Sequence, residues 1–470
     1  DVAPSRGLGD VYKRQGLYSI ILAAGEGKRM KSNIAKPLQQ AAGKALVEWV
    51  LDTAEETGSD ENIVVIGHKA EDVKAYLGDR AKYAYQYEQL GTGHAVMQGI
   101  ESIKDVDGTV MVLYGDSPLI EAETLKRVRE DHSKKMRAAT VITAIADEPY
   151  GYGRIVRENG EIVRIVEQKD ASEDEQKITE VNSGMYFFDI QKLKESLSKI
   201  TNDNSQGEYY ITDVIEIMLS EGEKVGAYVT DLEQTMGVND KLQLSQVGKI
   251  LNRRKVEALM LAGVTIIDPD KVQVTTNVKV GRDTVLYPGT VLEGDSVIGE
   301  NCVIGSNTSL NNCKVGNNTK ILETVGIDSE IGSDTNVGPF AYLRPGTKVG
   351  SEVKIGDFVE VKNSTIDDGT KVAHLTYIGD ADVGKRVNFG CGTVVVNYDG
   401  VNKHRTIIED DCFIGCNTNL VSPVVVRHGA YTAAGSTITD EVPPESLAIA
   451  RSKQVVKEQW TAKRKDSKKK

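Results

Sequence analysis

The residues whose types could do chemistry fall into two sets. The first starts at "LAAGEGKRM", residues 22–30, where an apolar run (Ile20, Ile21, Leu22) enters a glycine-rich turn that ends on Lys28 and Arg29. Gly25 and Gly27 tolerate positive φ and let backbone N–H groups approach an anion, and Arg29 adds a fork suited to phosphate oxygens. A plain tight turn explains this stretch equally well, since it lacks the closing Gly-Lys-Ser/Thr of a P-loop and the third glycine of a dinucleotide fingerprint. Asp116, in "LYGDSP", ends an apolar strand. A carboxylate is costly there without a cation or metal, unless it caps the helix that follows. In "YQYEQLGTGHA", Gln86, Gly91 and Thr92 suit a nucleobase edge. Further polar clusters sit beside strands: "GYGR" (Gly151 to Arg154), "IVEQKD" around Glu167, "VNSGMYFF" around Asn182 and "MGVND" around Asn239.

The second set lies in the C-terminal half. Arg344 and Lys362 are eighteen residues apart, as are Cys416 and Ala434. Stacked on neighbouring coils, two such cations make a phosphate-binding patch on an otherwise acidic protein. His374, in "HLTYIGDADVG", has a side chain whose pKa suits proton transfer near neutrality. All five cysteines (Cys302, Cys313, Cys391, Cys412, Cys416) fall in this half, an odd number without zinc-finger spacing. They read as small core residues rather than a disulfide framework or metal site.

Two different elements must position these sets. From Tyr18 to about Asp240, β-branched runs such as "SIILAAG", "NIVVIGH" and "GTVMVLYGD" alternate with helix-like stretches such as "ALVEWVLDTAEETG". That alternation predicts an α/β domain with a mostly parallel, Rossmann-like sheet covered on both faces. Ligands in such sheets bind beyond the carboxyl ends of strands, where both "LAAGEGKRM" and "LYGDSP" emerge. Residues 243–264 carry helical spacing (Val247, Ile250, Leu251, Val256, Leu259) and read as a linking helix. Beyond it aliphatic residues recur every six positions, as in Ile331, Val337, Leu343, Val349, Ile355 and Val361. A six-residue beat predicts a parallel β-helix with three faces and about eighteen residues per coil. Its main break, "NYDGVNKHRT" (397–406), is a loop expelled from the solenoid and a candidate for the binding face. The expected organisation is a leader over 1–17, disordered or foreign, a catalytic domain over 18–240, a linker helix over 241–264, a β-helix over 265–452, and a C-terminal segment over 453–470 that ends in a disordered basic tail, 461–470.

The 470 residues carry a net charge of -12. The chain as a whole is therefore not a nucleic-acid binder, and anionic ligands must be held by local cations. No apolar run approaches bilayer length and no secretory signal opens the chain. A cytoplasmic protein without membrane insertion is expected.

With "LAAGEGKRM", "QLGTGHA", "YGD", "GYGRIV", "IVEQKDA" and "GVND" the first half resembles the nucleotide-sugar pyrophosphorylases. "YLRPG", "EVKNS", "HLTYIGDADVG", "NYDG", "AAGST" and "IAR" extend the likeness to the hexapeptide acetyltransferases. Over residues 18 to about 460 the chain is similar to the bacterial bifunctional N-acetylglucosamine-1-phosphate uridylyltransferase and glucosamine-1-phosphate N-acetyltransferase family, whose β-helix is left-handed. The resemblance implies that Leu22, Ala23 and Gly25 lie along UTP, with Gln86, Gly91 and Thr92 near uracil. Arg29 and Lys36 would face phosphates, and Asp116 and Asn239 would hold Mg²⁺. Gly153, Glu167 and Asn182 would take N-acetylglucosamine 1-phosphate. In the second half it implies His374 as general base, with Glu360 as a candidate to orient it. Arg344, Lys362, Tyr377, Asn388 and Lys403 would hold glucosamine 1-phosphate, and Asn397, Tyr398, Cys416, Ala434 and Arg451 would meet acetyl-CoA. It also implies a homotrimer whose acetyl sites borrow residues from neighbouring copies.

The sequence departs from the family at Ala35 and Ala45, which stand where proline is usual, and at Cys391 and Cys416, which replace other small residues. Pro37 is expected to push Lys36 into extended geometry. Two rival readings are a pyrophosphorylase whose β-helix is structural or regulatory, and a non-enzymatic scaffold. His374, the expelled loop and Arg451 disfavour the first; Asp116 together with Asn239 disfavours the second.

Overall fold

The computed structural model describes residues 16–104 and 107–466. The chain divides into two compact units between Leu251 and Asn252.

In the first unit seven strands lie in the order Val225–Thr230, Ala139–Ile145, Glu180–Asp189, Gly108–Tyr114, Gly16–Ala23, Glu61–Ile66, Lys82–Tyr85. A hairpin, Gly153–Glu158 with Glu161–Val166, pairs onto Glu180–Asp189. Successive side chains on a strand face opposite ways. Ile20 therefore enters a core with Val96 and Ile100 of the Thr92–Ile100 helix. Ile21 enters the other core with Val47, Val50 and Leu51 of the Leu46–Glu56 helix. Burial on both faces explains why "GTVMVLY" is a continuous apolar run rather than an alternating one. The sheet is not wholly parallel, because Glu180–Asp189 runs antiparallel to both its neighbours, with a register break between Asn182 and Tyr186.

The Gly16–Ala23 strand starts before the expected boundary. Gly16 pairs with Gly108 and Leu17 is fully buried, so both belong to the sheet and not to the leader. The rest of the leader, 1–15, lies outside the described residues, as do 467–470 of the tail. Residues 461–466 of the tail are not disordered as expected but belong to the helix Trp460–Asp466, where the Arg464 guanidinium lies 5.0 Å from the Trp460 ring centre.

The Lys241–Leu261 helix buries Val247 and Leu251 in a small cluster of the first unit. Its later Val256 and Leu259 are buried in the core of the second.

That second unit is a left-handed parallel β-helix of three sheets with eleven, ten and nine strands. Each face contributes one inward aliphatic residue per rung, so Leu343, Val349, Ile355 and Val361 are all buried while their neighbours face out. Buried hydroxyls close the corners: Thr347 donates to the Val361 carbonyl (3.1 Å) and Thr370 to Gly384 (2.8 Å). Many corner residues sit at positive φ, and Asn and Asp, which tolerate it, recur there, as at Asn307, Asn318 and Asp334.

Coil length is not constant. Leu343 pairs with Val361, eighteen positions on, but Val361 pairs with Ile378, seventeen on. Between Asp382 and Ile407 the coil swells to twenty-five as the 397–406 loop leaves the helix. That loop is tied to itself: Tyr398 bridges Lys403 in antiparallel fashion, and Asp399 accepts from the backbone N–H groups of Val401 (2.8 Å) and Asn402 (2.7 Å). The His404 Nε2 lies 2.6 Å from the same carboxylate. These N–H donors, Asn402 first, and the imidazole pull the Asp399 pKa down to about 2.

Candidate active sites

In the first unit the adjacent parallel strands Gly16–Ala23 and Gly108–Tyr114 bring "LAAGEGKRM" and "YGD" to one sheet end. The Gly115 N–H donates to the Leu22 carbonyl at 2.9 Å. Beyond them lies a cavity of about 250 Å³ lined by Leu22, Ala23, Gly25, Gln86, Thr92 and Asp116 among others. Gln86 is buried, and its amide donates to the Gly91 carbonyl (3.0 Å). Thr92 opens the Thr92–Ile100 helix. Asp116 caps no helix, since the next one starts at Ala122.

A second depression, sharing Gly25 and Lys36 with the first, is lined by Gly25 to Arg29, Lys36 and Asn239. Gly27 holds φ at 66°, and a Cβ there would stand 2.6 Å from the Lys36 Cβ. Glycine is thus what lets Lys36 lie under the loop. Lys36 is not extended as Pro37 suggested. Hydrogen bonds Leu38 N–H to Ala35 O (2.9 Å) and Gln39 N–H to Lys36 O (3.2 Å) close a 3₁₀ turn over Lys36–Leu38. From that turn the Lys36 ammonium donates to the Asp116 carboxylate and to the Asn239 Oδ1 (3.0 Å), which also accepts from Arg29 (2.9 Å). A carboxylate and an amide oxygen thus converge on one cation.

The sugar candidates also gather. Gly153 pairs with Asn182, and a Cβ on Gly153 would lie 3.5 Å from Asn182 and 3.6 Å from the Glu167 carboxylate. Burial pushes the Glu167 carboxyl up, although Thr212 donates to it. Tyr114 joins the two clusters. It lines the cavity at the sheet end, and its phenol is pushed up by burial and then by Glu167.

In the second unit the ladder sets the geometry. The neighbouring Lys403 ammonium, and then burial, hold the Lys362 pKa below its usual value. The Asp380 carboxylate lies 3.6 Å from the Lys362 Nζ. Burial alone would raise Asp380, but Asn363 and Asn397 donate to it and the two ammonium groups add to the pull, so its pKa falls. Two cations sharing one anion leave room for a further anion. A Cβ on Gly379 would be 2.4 Å from the Tyr377 hydroxyl and 2.9 Å from the Asn397 amide, so glycine admits both side chains. Arg344 stands one coil back, with Tyr342 under its guanidinium at 5.9 Å.

Glu360 does not orient His374, because its carboxylate accepts from Arg344 at 2.8 Å. Asp357 does: it pairs in register with His374, and its Oδ1 lies 2.7 Å from the imidazole Nδ1. The hydrogen bond from His374 is the main reason the Asp357 pKa is lowered. With Nδ1 engaged, Nε2 is the nitrogen left to take a proton. Sequence reading missed both Asp357 and Asp380.

Not every candidate converges within one chain. His374 closes the Lys371–His374 strand at the corner before the second face, whereas Lys362 closes Glu360–Lys362 at the corner after it. Asn388 is on the first face, in register with Lys371 and Phe413, away from the lysine pair. Cys416 and Ala434 occupy corners in line with His374. Tyr398 and Arg451 are exposed.

The sequence matches the nucleotidyl transferase family over residues 18–237, the six-repeat bacterial transferase hexapeptide family over 277–312 and 328–363, and the hexapeptide repeat of succinyl-transferase over 405–440. It is similar to proteins named bifunctional protein GlmU in three organisms. That of Acetivibrio thermocellus is 53% identical over 450 residues (95% of this chain, 98% of the relative). That of Geobacillus sp. strain WCH70 is 53% identical over 445 (94% and 97%), and that of Clostridium tetani 51% over 453 (96% and 99%). With that identity over nearly the whole length of both chains, and with both family models matched, the chain belongs to the GlmU family of bifunctional uridylyltransferases and acetyltransferases.

Proposed function

We propose a division of labour between two sites for a chain that is a bifunctional enzyme of UDP-N-acetylglucosamine synthesis. The β-helix transfers acetyl from acetyl-CoA to the amine of glucosamine 1-phosphate, and the sheet domain then transfers uridylyl from UTP to the product. The observation that carries this reading is the convergence of Lys36, Asp116, Asn239 and Arg29, drawn from distant parts of the chain, beside the nucleotide cavity.

In the acetyl step His374 accepts a proton from the sugar ammonium at Nε2 while Asp357 holds Nδ1. The freed amine attacks the thioester carbonyl, the C–N bond forms, the C–S bond breaks and CoA leaves as the thiol. Lys362, Lys403 and Arg344 hold the sugar phosphate, with Tyr377 and Asn388 on the acceptor. Asn397, Tyr398, Cys416, Ala434 and Arg451 meet acetyl-CoA. The opposite corners of His374 and the lysine pair support sites completed between copies in a homotrimer. So do the exposed stacks Phe340–Phe358 (5.5 Å between ring centres) and Phe413–Tyr431 (5.2 Å), which a second copy would cover.

In the uridylyl step the sugar phosphate oxygen attacks the α-phosphorus in line and pyrophosphate leaves, which asks of the protein only positioning and charge stabilisation. Leu22, Ala23, Gly25, Gln86, Gly91 and Thr92 line the nucleotide, and Gly153, Glu167 and Asn182 the sugar. Arg29 and Lys36 face the phosphates. Asp116 and Asn239 already share one cation, and that donor set suits Mg²⁺, which binds through one or two carboxylates plus phosphate oxygens and water. When bound it would neutralise phosphate charge. Among the described residues no cluster of three or more His, Cys, Asp or Glu offers a complete protein cage, and no helix is long and apolar enough to cross a membrane.

The test is release of CoA thiol from acetyl-CoA. It should occur only with glucosamine 1-phosphate present; no release would leave the pyrophosphorylase with a merely structural β-helix.

A further inference from the structure

Register places a second group of reactive side chains beside the acetyl site. The rungs following Asp357 and His374 put Cys391 in line with His374, and Cys416 in line with Cys391. Backbone contacts fix this stacking: the Gly392 N–H donates to the Leu375 carbonyl (3.0 Å) and the Asn417 N–H to the Cys391 carbonyl (2.8 Å). Both cysteines are free and exposed, whereas Cys302, Cys313 and Cys412 are buried. Cys391 and Cys416 hold the same corner position on consecutive coils, so their Cβ atoms leave the helix in the same direction. Adjacent rungs are about 4.8 Å apart, within the range of about 4.4–6.8 Å that a disulfide spans between Cα atoms.

We propose that Cys391 and Cys416 form a dithiol modification site, oxidised reversibly to a cross-coil disulfide by a peroxide. His374, one rung from Cys391 and oriented by Asp357, takes the Cys391 proton. The thiolate attacks one peroxide oxygen, the O–O bond breaks, and sulfenic acid and water result. The Cys416 thiol then attacks that sulfur, the S–S bond forms and a second water leaves. Two thiols thus lose two electrons and two protons to one peroxide. The consequence for catalysis rests on the reading above that places Cys416 against acetyl-CoA: the closed disulfide removes its thiol and narrows that corner.

The full-length protein is treated with hydrogen peroxide and digested without reduction. The expected product is a peptide linked through Cys391 and Cys416, absent in Cys391→Ser and cleaved by dithiothreitol. Acetyl transfer should fall about tenfold or more in the wild type, recover on reduction, and change less than about twofold in peroxide-treated Cys391→Ser. Pyrophosphate formation should be unaffected. Oxidised cysteines without the 391–416 link would overturn the proposal. A link that forms while acetyl transfer persists would keep the dithiol and overturn instead the placing of Cys416 in the acetyl-CoA site.

Discussion

The two sites are built on opposite principles. In the sheet domain Lys36 meets Asp116 and Asn239, residues 80 and 203 positions away, and no periodicity connects them. In the β-helix the partners are rungs of one ladder: Asp357 with His374, Asn363 with Asp380, and Asp380 with Asn397 all stand seventeen apart. A ladder makes geometry a matter of counting, while a wound sheet makes it a matter of topology. Substitutions in the ladder should therefore act locally on one rung, and those in the sheet loops should disturb several partners at once.

The largest expected effect is on the ladder's base. His374→Ala should cost acetyl transfer about 10²–10⁴-fold, the usual yield of a positioned base, with melting temperature unchanged because the side chain is exposed. Next, Gly27→Ala should raise the KM for UTP about tenfold and destabilise the sheet domain by about 1–2 kcal/mol, since it strains a positive φ and strikes Lys36. Gly25→Ala sharpens the contrast: its Cβ meets nothing within 4 Å, so melting should hold while UTP binding weakens.

Asp357→Asn should lower kcat for acetyl transfer about tenfold with the KM for glucosamine 1-phosphate little changed, because the imidazole loses the carboxylate that holds its Nδ1. An unchanged kcat would mean that Asp357 does not orient the base. The smallest effect concerns stability alone. Burial, then Glu216 and Asp170, raise the Asp213 pKa to about 6. A raised carboxyl contributes stability below its unfolded value near 4, and that contribution is lost as pH rises to 6. Asp213→Asn should therefore stabilise the sheet domain above pH 6 by about 1 kcal/mol, after discounting for solvent, measured as melting temperature against pH.

Both architectures were legible in the sequence, the sheet from its alternation and the β-helix from its six-residue beat. What escaped has physical causes. Asp357 was not found because the coil was counted as eighteen residues, whereas the coils that carry Asp357 to His374 and Val361 to Ile378 are seventeen long. Counting by seventeen finds Asp357 and Asp380 at once. Lys36 was expected extended on the local rule for a residue before proline, which two turn hydrogen bonds override. In the antiparallel strand Glu180–Asp189 the apolar run Met185–Phe188 is buried like the strands on either side, so its direction left no mark in composition.

The central claim, two active sites of independent chemistry in one chain, is tested most directly by assaying both reactions on Asp116→Ala and His374→Ala. Asp116→Ala should lose Mg²⁺-dependent pyrophosphate formation while releasing CoA at the wild-type rate, and His374→Ala should do the reverse. Loss of both reactions in either folded variant, or retention of pyrophosphate formation in Asp116→Ala, would contradict it.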